Sequence, residues 1–178
     1  MAATCYTDAV STRRLSSDEF REVIGYFATG VTVITVRRDG APTGTTASAV
    51  CSLSLEPPMM LVCMNKASAT GQAIAESGSF AVNILGEGQD HLARRFATKD
   101  PDKFAGVAVV EGPGGEPLLA DALAHLECRV TEQTTGGTHV VYLAEVETAS
   151  ARDGAPLAYF RGQYGRLELP TTERGEQS

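Results

Sequence analysis

No two of the four cysteines, Cys5, Cys51, Cys63 and Cys128, have C-x-x-C spacing, and three of them lie inside apolar, strand-like runs. A metal or disulfide framework is therefore not expected; buried free thiols are. Positive charge is also scarce: 15 Lys and Arg against 22 Asp and Glu leave a net charge of −7. A broad nucleic-acid or anionic-membrane footprint needs the opposite balance. One phosphorylated ligand does not, because a few local cations and backbone N–H groups suffice. No apolar run approaches the roughly 20 residues that span a bilayer. The first residues lack a basic segment followed by an apolar stretch, so a cytoplasmic protein without a secretory leader is expected. No G-x-G-x-x-G follows a strand-like run, which removes the expectation of a Rossmann nucleotide domain. Internal repeats, low-complexity segments, a catalytic triad and paired carboxylates are missing too.

What is present fits one domain of 178 residues. Residues 1–15 and 168–178 read as loose polar tails, leaving 16–167 as the folded unit. Ser16 and Glu19 form a capping box ahead of Phe20, Val23, Ile24 and Phe27, an apolar stripe at helical spacing that ends by Gly30. "VTVITVRR" (31–38) is β-branched and alternating, and Asp39-Gly40 is a hairpin turn signal, with a return strand from Pro42 to Val50. "MMLVCMN" (59–65) reads as a fully buried strand and "SFAVNIL" (79–85) as another. Short helices are expected over 68–77, stopped by Gly78, and over 88–98. Two long strands, 122–133 and 139–151, are joined by "TTGGT", and "PLAYFRGQYGRL" (156–167) closes the fold. About seven hairpin-connected strands with three helices predict a mainly β (α+β) fold, an antiparallel barrel with peripheral short helices.

"GTTASAVCSLSLEPP" (44–58) carries five hydroxyls among small side chains before two prolines. In one continuous strand Thr46, Ser48, Val50 and Ser52 share a face, opposite Thr45, Ala47, Ala49 and Cys51. Short hydroxyls beside uncovered N–H groups suit a ligand with phosphate, ribityl or ring-carbonyl oxygens; a polar edge strand is the plainer reading.

The segments "ATGVTVITV" (28–36), "GTTASAVCSLSLEPPMMLVCMN" (44–65), "SFAVNIL" (79–85), "DKFAG" (102–106) and "PLAYFRGQYGRL" occur in an order that resembles the flavin reductase-like family. That resemblance spans residues 18–167 and implies an FMN-binding split β-barrel. It implies an NAD(P)H-dependent flavin reductase that takes FMN or FAD, draws hydride from NADH or NADPH, and supplies reduced flavin to a partner monooxygenase. It also implies a homodimer with each flavin near the subunit interface. By position, Thr46, Ala47, Ser48, Ser52 and Leu53 would meet the flavin's ribityl, phosphate or ring edge. Asn65, Lys66, Ser68 and Thr70 would serve the phosphate end. Arg95 and Lys103 match basic–aromatic pairs, with Arg95 ranked first because a guanidinium can bond a phosphate twice. Phe96 and Phe104 are expected to pack. The family often reads Gly-Asp-His where this chain reads Gly137-Thr138-His139, so His139 is the catalytic candidate without its acidic neighbour. Arg161 and Tyr164 match positions facing the cleft, with Gly162 and Gly165 allowing tight turns. A flavin-binding carrier without turnover, and an oxidase of a phosphorylated amine, are the competing readings.

Overall fold

Asp39 and Gly40 both adopt positive φ, 49° and 79°, the two-residue turn that matches the twist of a hairpin. They join β2 (Thr32–Arg38) to β3 (Ala41–Ala47) in the computed structural model, which describes residues 13–168. Most of the expected tails, and Cys5, lie outside the described residues. The chain then runs through β4 (Val50–Leu55), β5 (Pro58–Asn65), β6 (Ser79–Ile84), β9 (Ala124–Gly136) and β10 (His139–Ala151) to complete one sheet. Its order is β3-β2-β6-β9-β10-β5-β4, and every neighbouring pair is antiparallel. The edge strands β3 and β4 are consecutive in the chain, separated only by Ser48 and Ala49. A sheet whose two edges are tied by two residues has to curl round on itself. That makes a barrel split along the β3–β4 seam.

Two smaller sheets and three helices dress the barrel among the described residues. β1 (Thr29–Gly30) pairs with β11 (Leu157–Phe160), which pairs with β12 (Gln163–Arg166), and β7 (Val109–Glu111) pairs with β8 (Pro117–Leu119). The loop between β7 and β8 is the Gly- and Pro-rich stretch at 112–116. Helix α2 (Ala69–Ser77) is capped by the Ser68 hydroxyl and stopped by Gly78 in the left-handed region, as the sequence predicts. It lends Ala73 and Ile74 to the barrel core of Ile34, Val62, Met64, Phe80, Val82 and Tyr142. Helix α3 (Asp90–Ala97) packs Ala93 and Phe96 with Val31, Val33, Leu85 and Leu157 into a second cluster outside the sheet. β2 is therefore buried on both faces, and its alternation separates two cores instead of core from solvent.

Helix α1 (Ser17–Ile24) has the expected Ser16–Glu19 capping box and ends at Gly25, ahead of a turn and Gly30. Its apolar stripe is largely uncovered among the described residues: Phe20, Val23 and Phe27 are 56%, 67% and 71% exposed. Two sequence expectations are corrected. Strand β5 is not fully buried: Met60, Val62 and Met64 face the core, and the half-buried Met59, Leu61 and Cys63 alternate with them. Among the described thiols, only Cys128 is buried, where desolvation, then Glu147 and Glu127, push its pKa up to about 12; Cys63 is half-buried and Cys51 exposed.

Candidate functional site

The 44–58 stretch is not one strand. It changes edges at Ser48-Ala49, so the alternation expected from Thr46 through Ser52 is broken there. Thr46 Oγ1 donates to the Ala93 carbonyl at 2.6 Å and Thr45 Oγ1 to that of Phe96 at 3.4 Å, tying β3 to α3. Ala47 accepts from Thr32 Oγ1 at 2.7 Å and packs against the barrel core. The face-by-face expectation therefore fails at these positions, because their side chains are occupied by the fold. Ser48 behaves differently: it is exposed and borders two connected clefts.

The first cleft, about 820 Å³, is lined by Ser48, Ala49 and Cys51 at the seam, Leu61 and Cys63 of β5, and Arg161. The second, about 630 Å³, shares Ser48, Cys51 and Thr29 and runs on to Ser52 and Ser54. Leu53 is the extra residue of a β-bulge between Ser52 and Ser54, left out of the ladder with β5, with its side chain exposed. The Thr29 hydroxyl is buried beside both clefts with no hydrogen-bond partner among the described residues, an arrangement that calls for an explanation in a folded protein. Residue-type reasoning passed over Thr29, because nothing in "ATGVTV" distinguishes this threonine from a strand former.

A third cleft, about 760 Å³, continues along the same side of β5. Leu61, Cys63 and Asn65 alternate onto one face, so Asn65 stands about 7 Å beyond Cys63. Asn65 lines this cleft with Gly44, Thr45, Ser68, Thr70 and Lys103. The first-turn N–H groups of α2 point toward it, and the N-terminus of a helix favours an anion. Lys103 Nζ donates to the carbonyls of Gly44 and Phe96 at 3.2 and 3.1 Å. Burial lowers its pKa, with Asp100 opposing. A bulky side chain at Gly44 is barred, since a Cβ would sit 2.9 Å from the Ile34 carbonyl and 3.2 Å from the Phe104 ring.

Arg95, ranked above Lys103 from the sequence, reaches the other way. Its guanidinium binds the carbonyls of Asp102 and Ala105 and pins the 98–107 segment, and it lines none of these clefts. Phe96 and Phe104 pack edge to face at 4.9 Å, as expected. Tyr164 is also apart from Arg161. It rests on Tyr159 and beneath Arg94 at 4.9 Å, in a smaller pocket with Glu87 and Asp90, and burial raises its pKa. Gly162 does serve a turn, at φ 80°, whereas Gly165 lies within β12. Arg161 precedes Gly162 at φ 48°, bonds its N–H to the Gly25 carbonyl at 3.0 Å and lays its guanidinium 4.5 Å over the Tyr26 ring, at the mouth of the first cleft. His139 pairs directly across the sheet with Asn65, so both stand on one face. Thr138 Oγ1 lies 2.9 Å from His139 Nδ1, in the place the sequence lacks an acid, and the Thr138 carbonyl accepts from Lys66 N at 3.1 Å.

The three clefts form one trough. Its seam end offers a buried hydroxyl without a partner among the described residues, and small side chains, which suit a flat ring edged with carbonyls. Its far end offers a helix N-terminus and an ammonium, which suit a phosphate. Fold and trough thus define a protein that lays a flat, phosphorylated ligand along the outside of a split antiparallel barrel, and a flavin mononucleotide has that outline.

Comparison with known proteins agrees. Residues 24–168 match the family described as "Flavin reductase like domain". The reductase component of 4-nitrophenol 4-monooxygenase/4-nitrocatechol 2-monooxygenase of Rhodococcus opacus is 52% identical over 153 residues, 86% of this chain and 82% of that protein. The flavin reductase (NADH) of Kitasatospora aureofaciens is 40% identical over 165 residues, 90% of this chain and 86% of that protein. Among solved structures, the NADH:FAD oxidoreductase of Streptomyces globisporus in complex with NAD and FAD fragments has a TM-score of 0.83 at 38% identity, covering 88% of this chain and 94% of that one. The chain belongs to the flavin reductase-like family.

Proposed function

We propose that this protein is an NADH-dependent flavin reductase that reduces FMN or FAD and supplies reduced flavin to a separate monooxygenase in the cytoplasm. The trough carries the reading, because it joins a ring-shaped recess at Ser48 to an anion site at α2 over one stretch of β5. The relatives' names support both the nicotinamide donor and the monooxygenase partner. The flavin supplies the hydride acceptor, and the protein's part is binding, orientation and electrostatics.

The Thr29 hydroxyl, buried beside both clefts, would meet the ring edge as a donor fixed before reaction, where it would favour negative charge on that edge. Lys103 and the first turn of α2 hold the phosphate end, with Asn65 and Ser68 beside them. Arg161, held by its stack on Tyr26, presents a fixed positive charge where a pyridine nucleotide enters. Asp18 and Glu22 of α1 border the same entrance. Their carboxylates disfavour the extra 2′-phosphate of NADPH, in keeping with NADH as donor. The Thr138 hydroxyl, 2.9 Å from His139 Nδ1, would hold the orientation of the imidazole in place of the acidic neighbour.

The test is NADH oxidation followed by absorbance with free FMN or FAD in excess. Turnover with both flavins is the expected result; its absence with every flavin and either nicotinamide would defeat the reading. Tight flavin retention with slow NADH oxidation would mark a carrier instead.

The stripe of α1, exposed among the described residues, supports a homodimer, since an apolar helix face of this extent is normally covered. Phe20→Asp with Val23→Asp is expected to convert a dimer to a folded monomer in light scattering. A wild-type chain that is already monomeric would refute this.

A further inference from the structure

Among the described residues, only Asp39 and Arg161 hold a positive φ without being glycine. Each opens a two-residue hairpin turn and is followed by a glycine. The angles nearly coincide: 49° and 79° at Asp39-Gly40, 48° and 80° at Arg161-Gly162. The residue types do not match. Asp-Gly is a usual pair for this turn, because a short polar side chain tolerates the left-handed region. Arginine has no such local compensation, and asparagine or glycine would hold the β11–β12 turn with less strain. Strain of this kind persists where the surroundings require it, and ligand clamps are among the places where it collects.

The far end of the side chain shows what requires it. Arg161 is turned back onto the segment that follows α1, with its N–H on the Gly25 carbonyl at 3.0 Å and its guanidinium 4.5 Å over the Tyr26 ring. Phe160 braces that ring edge to face, with centroids 6.2 Å apart. Tyr26 itself lines neither cleft at the seam, and its hydroxyl makes no hydrogen bond among the described residues. The Arg161 guanidinium has no salt bridge or side-chain hydrogen bond among them either, so its five N–H donors stay available at the cleft it lines. Stacking on an aromatic ring uses the guanidinium's face, whereas paired bonds to a phosphate use its edge, so the two contacts do not compete. We propose that Tyr26 is a positioning residue: its ring, together with the strained Arg161-Gly162 turn, fixes the guanidinium where the diphosphate of NADH passes. The proposal rests on the flavin reductase reading and adds to it a residue that acts only through Arg161.

The test is the KM for NADH at saturating FMN in Tyr26→Leu, Arg161→Asn and the double variant. Arg161→Asn is expected to raise KM about tenfold, the loss of a charged hydrogen-bond donor. It is also expected to melt no lower than the wild type, because asparagine suits the turn. Tyr26→Leu is expected to raise KM about two- to fivefold, the range of a surface cation–π contact, with kcat changed less. Tyr26→Phe, which keeps the ring face, should retain the wild-type KM. The effect of Tyr26→Leu should vanish in the Arg161→Asn background, because residues acting through one contact are not additive. Reduced nicotinamide riboside, which lacks phosphate, should show no rise in KM with either variant. Additive effects, an equal rise with the riboside, or a lower melting temperature for Arg161→Asn would each overturn the assignment. Failure of the reductase reading is separate, since it shows as no FMN-dependent NADH oxidation by the wild-type chain.

Discussion

Glu127→Ala is expected to lower folding stability by about 3–5 kcal/mol, although the residue touches no cleft. Glu127 lies on β9 at 2% exposure. Its carboxylate accepts from Gly114 N at 3.0 Å, Glu116 N at 3.2 Å and Thr148 Oγ1 at 2.8 Å. The backbone folds over it so closely that a Cβ at Gly112 would stand 2.4 Å from Oε1. Truncation takes this partner from the buried Glu116 N–H, the Gly114 N–H and the Thr148 hydroxyl. It also frees Glu116, whose carboxylate accepts from Arg37 N at 2.9 Å and so anchors the β7–β8 ribbon to β2. Denaturant unfolding should show a lower midpoint with little change in slope. Glu127→Gln, which keeps one acceptor oxygen, should recover part of the loss. A cost below about 1 kcal/mol for the alanine variant would mean that water enters and satisfies the loop.

This network marks where the sequence ran out. The repeating features were readable: the Asp39-Gly40 turn, the two long strands, and α2 with its Ser68 cap and Gly78 stop are set by residues near in sequence. Glu127 bonding residues 11 to 21 positions away is set by the fold alone. The same division runs through the site. Asn65, Ser68, Thr70 and Lys103 line one cleft, and Ser48 borders the other two. Thr46 and Arg95 line none of the three, because α3 and the 98–107 segment, packed there by tertiary contacts, take up their hydrogen bonds. The exposed stripe of α1 shows the converse. Its helical period is correct, yet period alone does not say whether a chain covers its own apolar face.

Ser48→Trp is expected to weaken FMN and FAD binding roughly 100-fold while the melting temperature stays unchanged. Ser48 is exposed at the seam, between β3 and β4, and borders both clefts assigned to the ring. An indole there displaces on the order of 100 Å² of apolar ring contact, worth about 2–3 kcal/mol, which converts to that loss of affinity. Thr46→Val, two residues away, should do the reverse. Its hydroxyl serves the Ala93 carbonyl, so the change should cost about 1 kcal/mol of stability and leave the flavin Kd within about twofold. Fluorescence titration and thermal melts of both variants separate the wall of the trough from the ties behind it. Wild-type flavin affinity in the Ser48→Trp protein would show that the ring lies elsewhere, and the trough would lose its claim to the flavin. Loss of affinity with Thr46→Val at unchanged stability would show that the strand before the seam meets the flavin directly.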